Sequence, residues 1–196
     1  MKLKYNAPVI LTYTLISTIV LALQNFTGMD IMTYFTIYPI LDFANPVWYF
    51  RLFSHAIGHG DWTHLAGNFS FILLLGPILE EKYGSRDLFL MMMVTALVTG
   101  ILQIAFFENP LLGASGIVFM LILLSSFTNS KGGIPLTFVL VVVLYLGKEI
   151  QDAFAADNIS QFIHIIGGVL GGLFGFFLEG GQKKAREKSA MQSLRK

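Results

Sequence analysis

The chain has 196 residues, of which 55% are hydrophobic and 13% charged, with a formal net charge of +1 and no cysteine. A soluble domain carries roughly 25% charged residues, so a soluble globular enzyme is excluded, as is intrinsic disorder, which needs low hydrophobicity and high net charge. The lack of cysteine rules out disulfides, thiolate metal sites and a cysteine nucleophile, and the small net charge does not suggest nucleic acid.

What remains is an all-α, multi-spanning membrane protein. Apolar runs fall at residues 8–23, 64–79, 88–107, 111–127, 134–147 and 159–178. A bilayer core asks for about 20 apolar residues per helix. The third and sixth runs meet that length. The second, fourth and fifth are short, and a short span ends inside the bilayer only where protein or water meets its end. The first run follows Lys2 and Lys4, as a signal peptide would, but has no clear small-x-small cleavage site. It is read as a retained span.

Six spans place both termini on one side, together with every Lys and Arg except Arg51 and Lys148. The positive-inside rule makes that side the cytoplasm. Residues 1–181 are expected to form one membrane domain, and residues 182–196 a basic cytoplasmic tail. The long external connection, 25–63, carries several aromatics with Pro39 and Pro46, which suits an interfacial segment better than a flexible linker.

Ionisable residues in spans are costly and mark candidate sites. All four histidines, His55, His59, His64 and His164, lie in or beside spans. A three-histidine zinc site is disfavoured: His55 and His59 can share a helix face, but His64 at +5 from His59 does not, and no HExxH pattern occurs. No metal and no cofactor are expected. For any one imidazole, a satisfied core or interfacial role is the simpler reading.

A nucleophile is the other use for histidine. Gly113-Ala114-Ser115-Gly116 follows Asn109-Pro110 and opens the fourth span. Ser115 is placed at a helix N-terminus, where unpaired N–H groups and the helix dipole favour negative charge. Such an end suits the oxyanion of acyl transfer. His164 is the best base. Gly167, Gly171 and Gly175 follow it at +3, +7 and +11 on one helix face, a stripe that lets the sixth span press on the fourth. No acidic residue stands ready to orient His164, so a Ser–His dyad is expected rather than a triad.

These residues resemble the rhomboid family of intramembrane serine proteases, over nearly the whole chain from the first span to Gly175. Gly113-Ala114-Ser115-Gly116 is similar to the family's GxSG, which implies Ser115 as nucleophile. His164 with Gly167 and Gly171 is similar to its HxxGxxxG, which implies His164 as general base. His64-Leu65-Ala66-Gly67-Asn68 is similar to its HxxxN, which implies oxyanion contacts from His64 and Asn68 beside the Ser115 N–H. Arg51, after Trp48, resembles the tryptophan–arginine signature of the first external loop. Glu80 with Gly84 resembles the acidic residue at the cytoplasmic end of the second span.

The chain departs from the family pattern in three places. The arginine motif is stretched to Trp48-Tyr49-Phe50-Arg51, Phe119 stands one turn after Ser115 where many relatives have Tyr, and Ile163 precedes His164 in place of the frequent Ala. A ring at Phe119 still suits packing on the imidazole.

The resemblance implies a six-helix rhomboid-like bundle that cleaves transmembrane protein substrates in the lipid bilayer, with the fifth span as gate and loop 148–160 as lid. A compact chain of this kind looks prokaryotic, so a cell inner membrane is expected. Substrates with Gly or Pro near the cut are expected, because a helix must unwind before its backbone fits. His55 and His59 are expected to retain water or support the loop. Oligomeric state is not legible. The rival readings are a non-catalytic rhomboid-like protein that binds membrane helices, and a transporter or channel using the histidines.

Overall fold

The computed structural model describes residues 4–127, 134, 136, 137, 139, 140, 143, 144 and 162–178. Among the described residues the chain is helical, with α1 at Pro8–Thr27, a 3-10 turn at Met32–Phe35, α2 at Pro46–Ser54, α3 at Trp62–Tyr83, α4 at Ser85–Phe106 and α5 at Ser115–Ser125. A further helix, α6, runs Phe162–Leu178. Helices α1, α3 and α4 are long and apolar enough to cross a membrane; α5 and α6 are apolar but shorter. The fifth apolar run, 134–147, lies partly outside the described residues. Loop 148–160 and the tail, 182–196, lie wholly outside them.

Helix boundaries follow from local chemistry. Pro8 stands in the first turn of α1, where its missing N–H costs nothing. The next two N–H groups, of Val9 and Ile10, donate to the Glu80 carboxylate at 3.0 and 3.1 Å. Helix α2 is capped by the Asn45 side chain, which accepts from the Val47 N–H. Helix α3 is capped by Asp61, which accepts from the His64 N–H at 2.7 Å.

Two span lengths differ from the sequence expectation. The second run, read as short at 64–79, is a 22-residue helix. The Asp61 cap adds a start before His64. At the far end Glu80 is buried yet satisfied by the α1 N–H groups, so the helix continues through polar residues to Tyr83. The fourth run contracts from 111–127 to the 11 residues of α5, because 111–114 are tied into loop contacts. The Leu111 N–H donates to Ile37 O at 3.0 Å, and the Gly113 N–H donates to His55 O at 2.9 Å.

Helix α5 is the axis of the fold. Ile117, Val118 and the run from Met120 to Leu124 are all buried, as expected of a helix that is apolar on every side. It packs on α3 and α4. Lys82 Nζ donates to Phe127 O at 2.9 Å, placing a cation at the C-terminal end of α5. On the other side α6 lies in backbone contact with α5: a Cβ on Gly167 would run into Gly116 O, and one on Gly171 into Met120 O. The two pairs advance in the same direction, so α5 and α6 run parallel. The connection between α1 and α3 holds the 3-10 turn and α2, with Ile40, Leu41 and Phe43 exposed.

Candidate active site

Ser115 opens α5, after Ala114 at φ −84°, ψ 4°. The turn into it is made by Gly113 at φ +127°, a backbone state that side chains rarely adopt. Space imposes the same choice. A Cβ on Gly113 would stand 2.8 Å from both Cε1 and Nε2 of His64, and 3.9 Å from Asn68 Nδ2. The loop that delivers Ser115 is thus pressed against His64, near Asn68.

His164 comes from α6. Its imidazole stacks on the Phe119 ring, with centroids 4.2 Å apart and planes inclined by 7°. Phe119 is one turn after Ser115 on α5, so both lie on the same helix face. The fold thus gathers Ser115, Gly113, His64, Asn68, Phe119 and His164 around the start of α5. Gly116 lies under Ile163 and Thr99, whose methyls stand 3.3 and 3.2 Å from where its Cβ would be.

His55 and His59 do not share a helix face. His55 caps the C-terminus of α2, and His59 lies beyond it in the loop to α3. Both are buried and bonded. His59 Nδ1 donates to Ile57 O at 3.0 Å, which leaves Nε2 to accept from Asn68 Nδ2 at 3.1 Å. The ring also stands edge-on to His64, at 5.0 Å. His55 Nδ1 donates to Arg51 O at 3.1 Å, with Nε2 3.5 Å from Thr99 Oγ1. Burial holds each imidazole well below the usual histidine range, at about 4, against a smaller upward pull from the carbonyls they bond. These contacts fix a neutral tautomer for each, and His59 in turn orients the Asn68 amide. Among the described residues no group of three or more His, Asp or Glu side chains is arranged to hold a metal ion.

Arg51 lies away from this cluster. Its Nε donates to Thr33 O at 2.8 Å, Nη2 donates to Thr33 Oγ1 at 3.3 Å, and the guanidinium lies over the Tyr38 ring. It joins α2 to the 3-10 turn and so shapes the connection between α1 and α3. Glu80 is at the opposite end of α3, capping α1 and accepting from Ser85 Oγ at 2.7 Å.

One polar group was missed from sequence. Thr95, Thr99 and Gln103 form a buried face of α4. Thr99 meets His55, and Gln103 Nε2 donates to Asn109 O at 2.7 Å, in the loop before Ser115. Gln103 Oε1 is buried with no hydrogen-bond partner among the described residues. Polar residues at i, i+4 and i+8 in an otherwise apolar helix were the available signal.

The family model described as Rhomboid domain matches residues 46–180. The chain is 30% identical to rhomboid protease GlpG of Serratia proteamaculans over 87% of its own length and 62% of the relative's. It is 28% identical to rhomboid protease GluP of Bacillus subtilis over 64% of this chain and 25% of that one. It is 21% identical to rhomboid protease GlpG of Haemophilus influenzae over 89% of this chain and 92% of that one. The chain therefore spans under two thirds of the length of the first two. A family match over most of the chain, on a bundle with membrane-length apolar helices, makes this an integral membrane protein of the rhomboid family.

Proposed function

We propose that this protein is an intramembrane serine endopeptidase that cuts peptide bonds in or near the transmembrane helices of other membrane proteins. The observation that carries the reading is the meeting at the start of α5. Ser115 stands there beside a loop pressed on His64, and His164 is stacked on Phe119 of the same helix face. The relatives' names, all rhomboid proteases, support it.

In this reading Ser115 Oγ attacks the scissile carbonyl carbon and gives its proton to His164. The carbonyl oxygen takes up the electron pair and is held by the Ser115 N–H, the His64 ring and the Asn68 amide. His59 Nε2 occupies one Asn68 N–H, which leaves the other for the oxyanion. The intermediate collapses as the C–N bond breaks and His164 protonates the leaving nitrogen. Water then attacks the acyl-enzyme, its proton passing to His164, and Ser115 is restored. The Phe119 face orients the imidazole.

The chain crosses the bilayer six times, the fifth time through 134–147, with both termini and the basic tail, 182–196, in the cytoplasm. Ser115 then faces the outer side, where water enters from above the short α5. The exposed Ile40, Leu41 and Phe43 support an interfacial position for the external segment. The bacterial relatives support a prokaryotic inner membrane as its location.

A fluorophosphonate serine-hydrolase probe tests the reading. The folded protein is expected to be labelled, with labelling abolished in Ser115→Ala and sharply reduced in His164→Ala. A folded wild type that resists the probe overturns it. Asn68→Ala is expected to slow turnover of a transmembrane substrate by about 10²–10³-fold, the usual cost of one oxyanion donor. Near-normal turnover would remove Asn68 from that role.

A further inference from the structure

A cavity of about 720 Å³ lies between α1 and α4. One wall is α1 from Pro8 to Ile16; the other is α4 from Ser85 to Ala96. At 1.5 Å per residue these walls are about 12 and 16 Å long. Half of a ~30 Å hydrocarbon core is about 15 Å. Phe50 and Phe53 of α2 and the turn at Ala56 and Ile57 complete the lining. The helical walls are therefore about one leaflet long.

Its lining is apolar in effect as well as in composition. Each hydroxyl on the wall is engaged elsewhere: Thr12 with Tyr5, Tyr13 with Ala56 O, Ser54 with Tyr34 O, and Ser85 with Glu80. The mouth is different. Exposed Arg86 follows Ser85 of the lining, and exposed Lys4 lies four residues before Pro8 in sequence. The first turn of α4 has no side-chain cap bond, although Asp87 in that turn partly offsets the positive end.

We propose that this groove holds one acyl chain of an anionic glycerophospholipid, with the phosphate at Lys4, Arg86 and the start of α4. A transmembrane helix of a partner or second copy is a poorer occupant, because it spans the whole ~30 Å core and the walls match only half of it. One acyl chain matches that half. The lipid belongs to the leaflet on the Lys4 side, the cytoplasmic one in the orientation proposed above. The inference rests on that bilayer placement, not on chemistry at Ser115. Ile117, two residues after Ser115, lines the groove, as does the turn at Ala56 beside His55. The bound chain thus supports the underside of the candidate active site.

The test is native mass spectrometry of the folded, detergent-purified protein. It is offered equal amounts of palmitoyl-oleoyl phosphatidylglycerol and the matching phosphatidylcholine. Wild type is expected to keep one lipid and to favour phosphatidylglycerol by roughly tenfold. Met93→Trp on one wall, and Ile16→Trp on the other, should each abolish retention. The pair guards against one variant failing to fold. Lys4→Gln with Arg86→Gln should keep a lipid but lose the headgroup preference. Equal retention of both lipids by wild type, undiminished retention in both tryptophan variants, or a dimer mass in place of the lipid adduct overturns the proposal. Fluorophosphonate labelling reads Ser115 separately, so failure here leaves the protease reading intact, and the reverse also holds.

Discussion

Phe119 offers His164 a flat apolar face in place of a hydroxyl. A ring stack with centroids 4.2 Å apart restrains the tilt of the imidazole, and orientation of a catalytic group is worth substantial rate. Phe119→Leu keeps the volume roughly constant but removes the face. We expect its fluorophosphonate labelling rate to fall about tenfold with little change in thermal stability, while Phe119→Tyr stays near wild type. Equal labelling rates in all three would show that the stack does not position His164. At this scale the sequence was most informative where a residue has a single physical reason. Gly113 is one case, forced both by φ and by His64. His59 was not readable, because its role comes from Asn68, nine positions on, through a contact that only the fold creates.

The pairing of α5 with α6 depends on glycine in a way that separates neighbouring positions. A Cβ on Gly167 would strike the backbone carbonyl of Gly116, which cannot rotate aside, whereas one on Gly168 would meet Leu123 at an ordinary 3.6 Å. Alanine gains up to about 1 kcal/mol of helix propensity at either site, but forced overpacking costs about 1–3 kcal/mol. Gly167→Ala is therefore expected to lower the thermal midpoint and the labelling of Ser115, and Gly168→Ala to leave both unchanged or slightly improved. Equal behaviour of the two would mean that α6 yields at this crossing. The +3 and +7 glycine spacing after His164 made this interface legible in advance. The length of α5 was not legible, since residues 111–114 are as apolar as a helix but are held by Ile37 and His55, in contacts remote in sequence.

For the whole molecule, composition and the apolar runs were enough for the membrane class. The two ends of the bundle needed coordinates. One end is gathered by Glu80, which joins α1, α3 and the start of α4. The other is held partly by two buried neutral histidines, and this gives the protein an expected weakness to acid. His55 and His59 have folded values of about 4, lowered by burial from about 6.5. Between those values the unfolded chain binds more protons than the folded one, so stability rises with pH. Their contribution is complete above about pH 6.5 and is lost as pH falls toward 4, at most about 3 kcal/mol per ring. Thermal unfolding in detergent should show the midpoint falling between pH 7 and pH 4.5. The double variant His55→Asn, His59→Asn should start lower, because both imidazole contacts are gone, and should change less over the same range. A wild type whose midpoint is constant across that window would mean that these rings accept protons inside the fold. The neutral tautomer that lets His59 hold Asn68 would then not be what the bundle stabilises.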